Sequence, residues 1–82
     1  MKSNGYKGSA NKVGKNIRML RFARGLSQRK LAEEMQLKGY NFERTTILKI
    51  EKGKRTILDY EVEAFADIFE ISLNELYDRE KS

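Results

Sequence analysis

Apolar residues recur at helical spacing through the first half of the chain. Each of two segments places them on one face: Val13, Ile17 and Leu20 in the first, and Leu31, Ala32 and Met35 in the second. Gly25 stands where a left-handed helix stop would be, and Ser27 can cap the next helix. This pattern predicts helices over about residues 11–24 and 27–37.

A second pair of helices is predicted in the C-terminal third. Asp59 is a suitable N-cap for a segment with apolar residues at i, i+3, i+4 and i+7: Val62, Phe65, Ala66 and Phe69. Glu75 follows Ser72 by three residues, which is the spacing of a capping box. We therefore predict a fourth helix after Asp59 and a short fifth helix through Leu76 and Tyr77.

The segment between these pairs, NFERTTILKIEKGKR at residues 41–55, is ambiguous. Its β-branched residues favour a strand, but neither face of that strand would be cleanly apolar or polar. A helix places Ile47, Ile50 and Glu51 on its inward face. Its outward face then carries Thr45, Leu48, Lys49 and Lys52. We predict a third helix that ends at Gly53 and depends on tertiary packing, because its intrinsic propensity is weak.

Composition narrows the class of protein. The 82 residues suffice for one small domain. Cysteine and histidine are both absent, so disulfides, zinc fingers and most hydrolytic or metalloenzyme mechanisms are not expected. No apolar run approaches the roughly 20 residues of a membrane span, and the N-terminus lacks the hydrophobic segment of a signal peptide. We expect a soluble, non-enzymatic, cytoplasmic protein.

The two signs of charge are separated along the chain. Residues 1–55 carry 15 Lys and Arg against 4 Glu, whereas residues 56–82 carry 2 against 8 acidic residues. A folded domain with such a cationic block attracts polyanions, of which nucleic acid is the first candidate and an anionic membrane surface the second. The alternative is that these cations only solvate helix surfaces.

An all-α unit whose second and third helices are joined by a turn is a helix-turn-helix arrangement. Three segments in this order resemble the Cro and phage-repressor type of helix-turn-helix, the XRE family: RMLRFARGLSQRKLAEEM, RTTILKIEKGKR and VEAFADIFEISLNELY. The resemblance covers about residues 12–78. It implies a five-helix, lambda-repressor-like domain that binds duplex DNA, usually as a dimer on a palindromic operator, and regulates transcription.

The resemblance also suggests how the chain is organised. We expect a flexible basic arm at residues 1–10, the DNA-binding domain at 11–78 and a short tail at 79–82. The expected partners are a double-stranded operator and a second copy of the chain, with no cofactor, metal or small-molecule substrate. The expected role is that of a repressor associated with a bacterial or phage nucleoid.

The turn between the second and third helices, at residues 36–43, is longer than the family's usual turn. We expect Leu37 and Phe42 to fold back onto the core, with Tyr40 and Asn41 more exposed. A competing interpretation places three polar residues of this turn at the DNA backbone: Lys38, Tyr40 and Asn41.

The resemblance implies roles for residues of the third helix. Arg44, Thr45 and Lys49 match the positions that contact bases in the family. Arg44 and Lys49 can donate to guanine O6 and N7, and the Thr45 methyl can meet a thymine methyl. For each, the alternative is a solvated surface residue. Leu48 could either meet a thymine methyl or pack against the turn.

Phosphate contacts are expected at the walls of the groove. Gln28 matches the family's phosphate clamp, where the helix dipole and backbone N–H groups assist. The full expected set is Ser27, Gln28, Thr46, Lys52, Lys54 and Arg55. Arg29 and Lys30 are weaker candidates, because cations near a helix N-terminus oppose its dipole.

Glu51 needs another explanation, because an inward carboxylate requires a partner. Arg21 lies on the flank of the first helix, at the position that pairs with this glutamate in the resembling family. We predict an Arg21–Glu51 ion pair that orients the third helix.

The acidic C-terminal third is expected to lie away from the phosphates and to include dimer contacts. The candidates are Tyr60, Phe69, Ile71 and Tyr77, each equally plausible as core or surface. Phe22 is a further exposed aromatic candidate. An alternative function is a DNA-binding antitoxin that also neutralises a toxin partner. A basic membrane-binding protein is less favoured, because no large apolar face accompanies the cationic helices.

Overall fold

The structure is a computed structural model that describes the backbone of residues 2–77 and the side chains of residues 12–77. It contains five helices in chain order: α1 (Lys2–Ala23), α2 (Gln28–Leu37), α3 (Arg44–Glu51), α4 (Asp59–Phe69) and α5 (Leu73–Tyr77). No strand occurs within the described backbone. The predicted all-α, five-helix fold is therefore confirmed.

Three helix boundaries differ from the sequence predictions. The α1 backbone starts at Lys2 rather than near residue 11. Leu58, not Asp59, is the N-cap of α4, and its N–H donates to the Glu61 carboxylate at 3.0 Å. α3 ends at Glu51, and Gly53 follows in the left-handed region with φ of 73°. The predicted tail at 79–82 lies outside the described residues.

Two predicted caps have the expected geometry. The Ser27 hydroxyl accepts from the Lys30 N–H at 2.9 Å and opens α2. At α5, Glu75 N–H donates to the Ser72 hydroxyl at 3.1 Å, while Ser72 N–H donates to the Glu75 carboxylate at 3.0 Å. Both caps satisfy N–H groups that a helix start leaves unpaired.

The core is formed where all five helices meet. Its largest fully buried apolar side chains are Val13, Ile17, Leu31, Met35, Ile47, Ile50, Phe65, Phe69 and Leu76. Asn16 is also buried, and its amide donates to the Leu76 carbonyl at 2.6 Å, which fastens α5 to α1. Burial of Ile47 and Ile50 against α1 and α2 explains how a segment of weak propensity forms α3.

Gly14 sets the distance between α1 and α3. A Cβ atom added at this position would lie 2.2 Å from the carbonyl oxygen of Ile50. The two backbones therefore approach as closely as they do only because residue 14 has no side chain. This contact fixes the position of α3 relative to α1.

The long turn packs as predicted at Phe42 but not at Leu37. Phe42 is buried, its ring meets Phe65 edge-on at 5.9 Å, and its carbonyl accepts from the Gln36 amide at 2.6 Å. Leu37 is 82% exposed, so its predicted burial is wrong. It ends α2 on the side opposite Met35, because two residues turn a helix by about 200°.

Tyr40 joins the turn to α4. Its ring stacks on that of Tyr60 at 5.9 Å, and it packs partly buried against the core, whereas Asn41 is exposed. Lys38 pairs with Asp67 at 3.5 Å. Two of the three residues that the competing interpretation placed at the DNA backbone, Lys38 and Tyr40, therefore contact side chains of α4.

Candidate nucleic-acid interface

The outward face of α3 carries the side chains that the sequence assigned to base contact. Arg44, Thr45 and Lys49 are all exposed, while Leu48 is half-buried. Arg44 and Lys49 form no ion pair with any described carboxylate. The donors of Arg44 and Lys49 are consequently available to a ligand outside the domain.

An ion-pair network holds α3 from behind. Arg21 Nε donates to Glu51 Oε2 at 2.7 Å, and Arg21 Nη2 donates to Glu51 Oε1 at 3.1 Å. The third guanidinium nitrogen, Nη1, donates to the Leu26 carbonyl at 2.9 Å. The Arg21 and Glu51 side chains are only 8% and 3% exposed. This two-point contact fixes the end of α3 against α1 and the α1–α2 turn.

Gln28 also belongs to this network. Its side-chain amide donates to Glu51 Oε1 at 3.2 Å, and the residue is half-buried at the first position of α2. Ser27 is exposed beside it, and its hydroxyl oxygen caps the helix. The two predicted phosphate contacts at α2 therefore lie together next to α3.

The remaining predicted phosphate contacts divide into free and engaged side chains. Lys52 and Lys54 are exposed and form no ion pair within the described part of the chain. The Thr46 hydroxyl, in contrast, accepts from the Glu43 N–H at 3.1 Å and so helps to start α3. Arg55 is half-buried and engaged in the ion pair described next.

Arg55 is held by Glu61, a residue that the sequence reasoning assigned only to an acidic surface. Two nitrogens of Arg55 donate to the two carboxylate oxygens of Glu61 at 3.0 and 3.1 Å. The guanidinium also lies 5.1 Å from the centre of the Phe42 ring. Glu61 is the third residue after Leu58, a spacing typical of a carboxylate that caps a helix start. This spacing is the feature of the sequence that could have identified a structural role for Glu61.

The pKa of Glu61 reflects these contacts. Burial raises it, but the hydrogen bonds from Arg55 and from the Leu58 N–H outweigh burial, so the net pKa lies below the ordinary value. The hydrogen bonds that Arg55 donates to Glu61 outweigh burial and raise the pKa of Arg55. Glu61 thus joins the loop after α3 to the start of α4 in its charged form.

We expect Glu61→Gln to flatten the acid dependence of stability. Because the folded-state pKa is depressed, the stabilisation is present above the unfolded value of about 4.3 and is lost as pH falls through the folded pKa. At neutral pH the variant should lose about 1–3 kcal/mol of unfolding free energy, and the difference should shrink below pH 4. Urea unfolding across pH measures it. Exposed Glu63 supplies the control, Glu63→Gln. Parallel pH profiles for the wild type and both variants would contradict the assignment.

The dimer candidates occupy different environments. Phe69 is fully buried at the end of α4, so of the two alternatives left open for it the structure places it in the core. Tyr60 and Phe22 are 54% and 60% exposed, and Ile71 and Tyr77 are partly buried. Phe22 lies beneath two guanidinium groups, with Arg21 at 4.6 Å and Arg18 at 5.4 Å from its ring centre.

Two other kinds of feature are absent from the described residues. No group of three or more acidic side chains there is arranged to hold a metal ion. None of the described helices is long and apolar enough to cross a membrane.

Comparisons with known proteins identify the family. The protein-family model described as a helix-turn-helix domain matches residues 14–82. The solved DNA-binding domain of BldD is similar to this chain with a TM-score of 0.71 and 22% identity, over 87% of this chain and 96% of that one.

The S. venezulae BldD DNA-binding domain is similar with a TM-score of 0.70 and 23% identity, over 85% and 97% of the two chains. At these identities the likeness shows the fold alone. No curated protein matches the chain. Because the family model covers most of its length, the chain belongs to the XRE-type helix-turn-helix family.

Proposed function

We propose that the chain is a sequence-specific regulator of transcription that binds duplex DNA by placing α3 in the major groove. The observation that carries this proposal is the exposed face of Arg44, Thr45 and Lys49 on a helix fixed from behind by the Arg21–Glu51 pair. The domain acts by occupying its site and catalyses no reaction. The role that we favour is a cytoplasmic repressor.

The base contacts follow from the chemistry of the side chains. Arg44 opens α3, so its guanidinium extends beyond the helix end and can donate two hydrogen bonds to guanine O6 and N7. Lys49 lies one turn after Thr45 on the outward face and presents a single ammonium group to O6 or N7. Thr45 offers a methyl group to a thymine. Together they span a short run of bases.

Phosphate contacts would flank this run on both sides. On one side, the N–H groups of Gln28 and Arg29 at the start of α2 make no hydrogen bond with other described residues, so they can donate to the oxygens of a phosphate. On the other side, Lys52 and Lys54 surround Gly53, whose left-handed conformation makes the tight turn after α3. These contacts would fix the register of α3 without selecting a sequence.

A homodimer on a palindromic operator is the assembly that we favour. Two copies related by a two-fold axis present their third helices to half-sites about 34–36 Å apart, one turn of the duplex. Duplexes selected from a random pool should therefore contain an inverted repeat at that spacing. Binding of all duplexes with equal affinity would reject the sequence-specific function.

The selected duplex also separates base contacts from phosphate contacts. Arg44→Ala should lose about 1–3 kcal/mol of binding and relax one position of the selected sequence. Lys54→Ala should weaken all duplexes alike and lower the salt slope of log K by about 1. Fluorescence anisotropy on single-base variants of the duplex measures both effects. An equal loss for Arg44→Ala on every variant would reassign Arg44 to the phosphates.

A further inference from the structure

A groove of about 690 Å³ lies beside the C-terminal end of α3. Its lining residues come from α1 and from the end of α3 with its following loop: Lys15, Arg18, Met19, Glu51, Lys52 and Lys54. α1 passes close to the Ile50 carbonyl at Gly14. Residues of α1 thereby reach the surface that carries the predicted phosphate contacts Lys52 and Lys54.

The groove is strongly cationic. Glu51, the only carboxylate among the described lining residues, is already bound by Arg21 and Gln28, so it does not offset the neighbouring positive charges. None of the four cations forms an ion pair with a carboxylate in the part of the chain that the structure describes: Lys15, Arg18, Lys52 and Lys54. Exposed Lys15 and Arg18 are three residues apart on one helix, so their charges act on the same ligand.

Several cations on other faces of the domain have acidic partners, in contrast to those of the groove and to Arg44 and Lys49 on α3. Arg29 pairs with Glu33, and Lys30 contacts both Glu33 and Glu34. Lys38 and Arg55 pair with acidic residues of α4. The unpaired cations of the groove therefore do not simply reflect the overall charge of the domain. Their arrangement favours a polyanion.

A second hollow, of about 200 Å³, continues the groove toward α2. It is lined by Arg18, Arg21, Gln28, Leu48, Glu51 and Lys52. Arg18 and Lys52 line both spaces. The surface from the start of α2 to the loop after α3 is thus continuous, and Arg18 lies in its middle. A polymer of regularly spaced phosphates matches this shape better than a single anion does.

We propose that Lys15 and Arg18 bind backbone phosphates of the same duplex that α3 enters, together with Lys52 and Lys54. This inference rests on the proposed function and deepens it, because it adds α1 to a surface otherwise built from α2, α3 and the loop after α3. The apolar stem of Met19, which is 48% exposed, would lie against deoxyribose between the phosphates.

The test is the salt dependence of binding to the selected duplex for Lys15→Gln, Arg18→Gln and the double variant. Each lost phosphate contact should lower the slope of log K against log salt by about 0.9, and should weaken binding roughly tenfold near 0.1 M salt. The effect should be the same for specific and non-specific duplexes. Arg18→Lys should retain most of the slope, because it keeps the charge.

Lys38→Gln is the matched control, since it removes one exposed cation that pairs with Asp67 outside the groove. It should leave the slope within about 0.3 of the wild type, because only phosphate contacts release counterions in this measurement. Urea unfolding of each variant shows whether its fold is retained. If a glutamine variant fails to fold, Arg18→Ala and Lys15→Ala replace it in the same assay.

The outcomes separate this inference from the proposed function. Wild-type protein that binds no duplex above the non-specific level would overturn the proposed function. Wild-type binding with equal slopes for the double variant and Lys38→Gln would overturn only the role of Lys15 and Arg18. Tripolyphosphate at constant ionic strength tests for a small-anion site. The assignment of Lys15 and Arg18 to DNA phosphates would be overturned if tripolyphosphate displaced the duplex from the wild type while the double variant kept the wild-type salt slope.

Discussion

Glu51→Ala is expected to lower the free energy of unfolding by about 3–5 kcal/mol, because it leaves the buried Arg21 guanidinium without its carboxylate. Such a loss is a large part of the 5–15 kcal/mol that holds a typical domain together. Glu33→Ala is the matched control, since it removes a carboxylate whose side chain is 46% exposed and which contacts Arg29 and Lys30. It should cost at most about 1 kcal/mol. Urea unfolding at neutral pH measures both, and equal losses would contradict a structural role for the pair.

A double variant then separates stability from orientation. Arg21→Met with Glu51→Leu removes both charges together, and an apolar pair of similar volume should restore most of the lost stability. It also removes the two-point contact that fixes the end of α3. If the pair orients α3, this variant should fold and still bind the selected duplex at least tenfold more weakly. Wild-type affinity in a folded double variant would limit the pair to a role in stability.

Gly14→Ala is expected to destabilise the domain by about 1–3 kcal/mol, although alanine is the better helix former by about 1 kcal/mol. The added Cβ would meet the Ile50 carbonyl at 2.2 Å, and backbone atoms cannot move aside as a flexible side chain does. α1 and α3 must therefore separate. Since α3 carries the face that we propose contacts the bases, affinity for the selected duplex should fall together with stability.

Gly25→Ala provides the comparison for this effect. Gly25 has φ of 68° and no atom within 4 Å of an added Cβ, so alanine there costs only backbone strain of about 1–2 kcal/mol. The two variants should lose similar stability, while only Gly14→Ala should alter binding by the folded protein. Unfolding curves and duplex titrations below the unfolding transition measure the two properties. A more stable Gly14→Ala protein with wild-type affinity would contradict the role of this close contact.

Local patterns in the sequence were enough to predict the helices and the inward face of α3. Ile47 and Ile50 could be assigned because helical periodicity reports which side chains share a face. Ser27 and the Ser72–Glu75 pair could be assigned because caps depend on neighbours only three residues away. In each case the determining contact is close in the chain.

Apart from the Arg21–Glu51 pair, which the family resemblance supplied, several features that depend on contacts distant in the chain were not predicted. Gly14 and Asn16 look ordinary within a helix, and their roles appear only when Ile50 and Leu76 are placed against them. The engagement of Arg55 by Glu61 needed the path of the loop before α4. Leu37 was wrongly predicted to be buried, because the prediction relied on its hydrophobicity and not on its position on α2, opposite Met35.

The candidate site likewise has a part that the sequence predicted and a part that it did not. The face of α3 followed from a helical wheel together with a resemblance to a family. The contribution of α1 to the cationic groove did not, because Lys15 and Arg18 lie more than thirty residues before Lys52 and Lys54 in the chain. Only the packing of α1 across α3 brings these charges together.

We expect the duplex to bind the face made by α3, the start of α2 and the loop after α3. The most direct measurement is the change in backbone amide chemical shifts when the selected duplex is titrated into the labelled protein. The largest changes are predicted at Gln28, Arg44, Thr45, Lys49 and Lys54. The exposed face of α4 carries acidic side chains, and small changes are predicted there, at Asp59, Glu63 and Asp67. Changes that are largest on α4 and small along α3 would contradict the account.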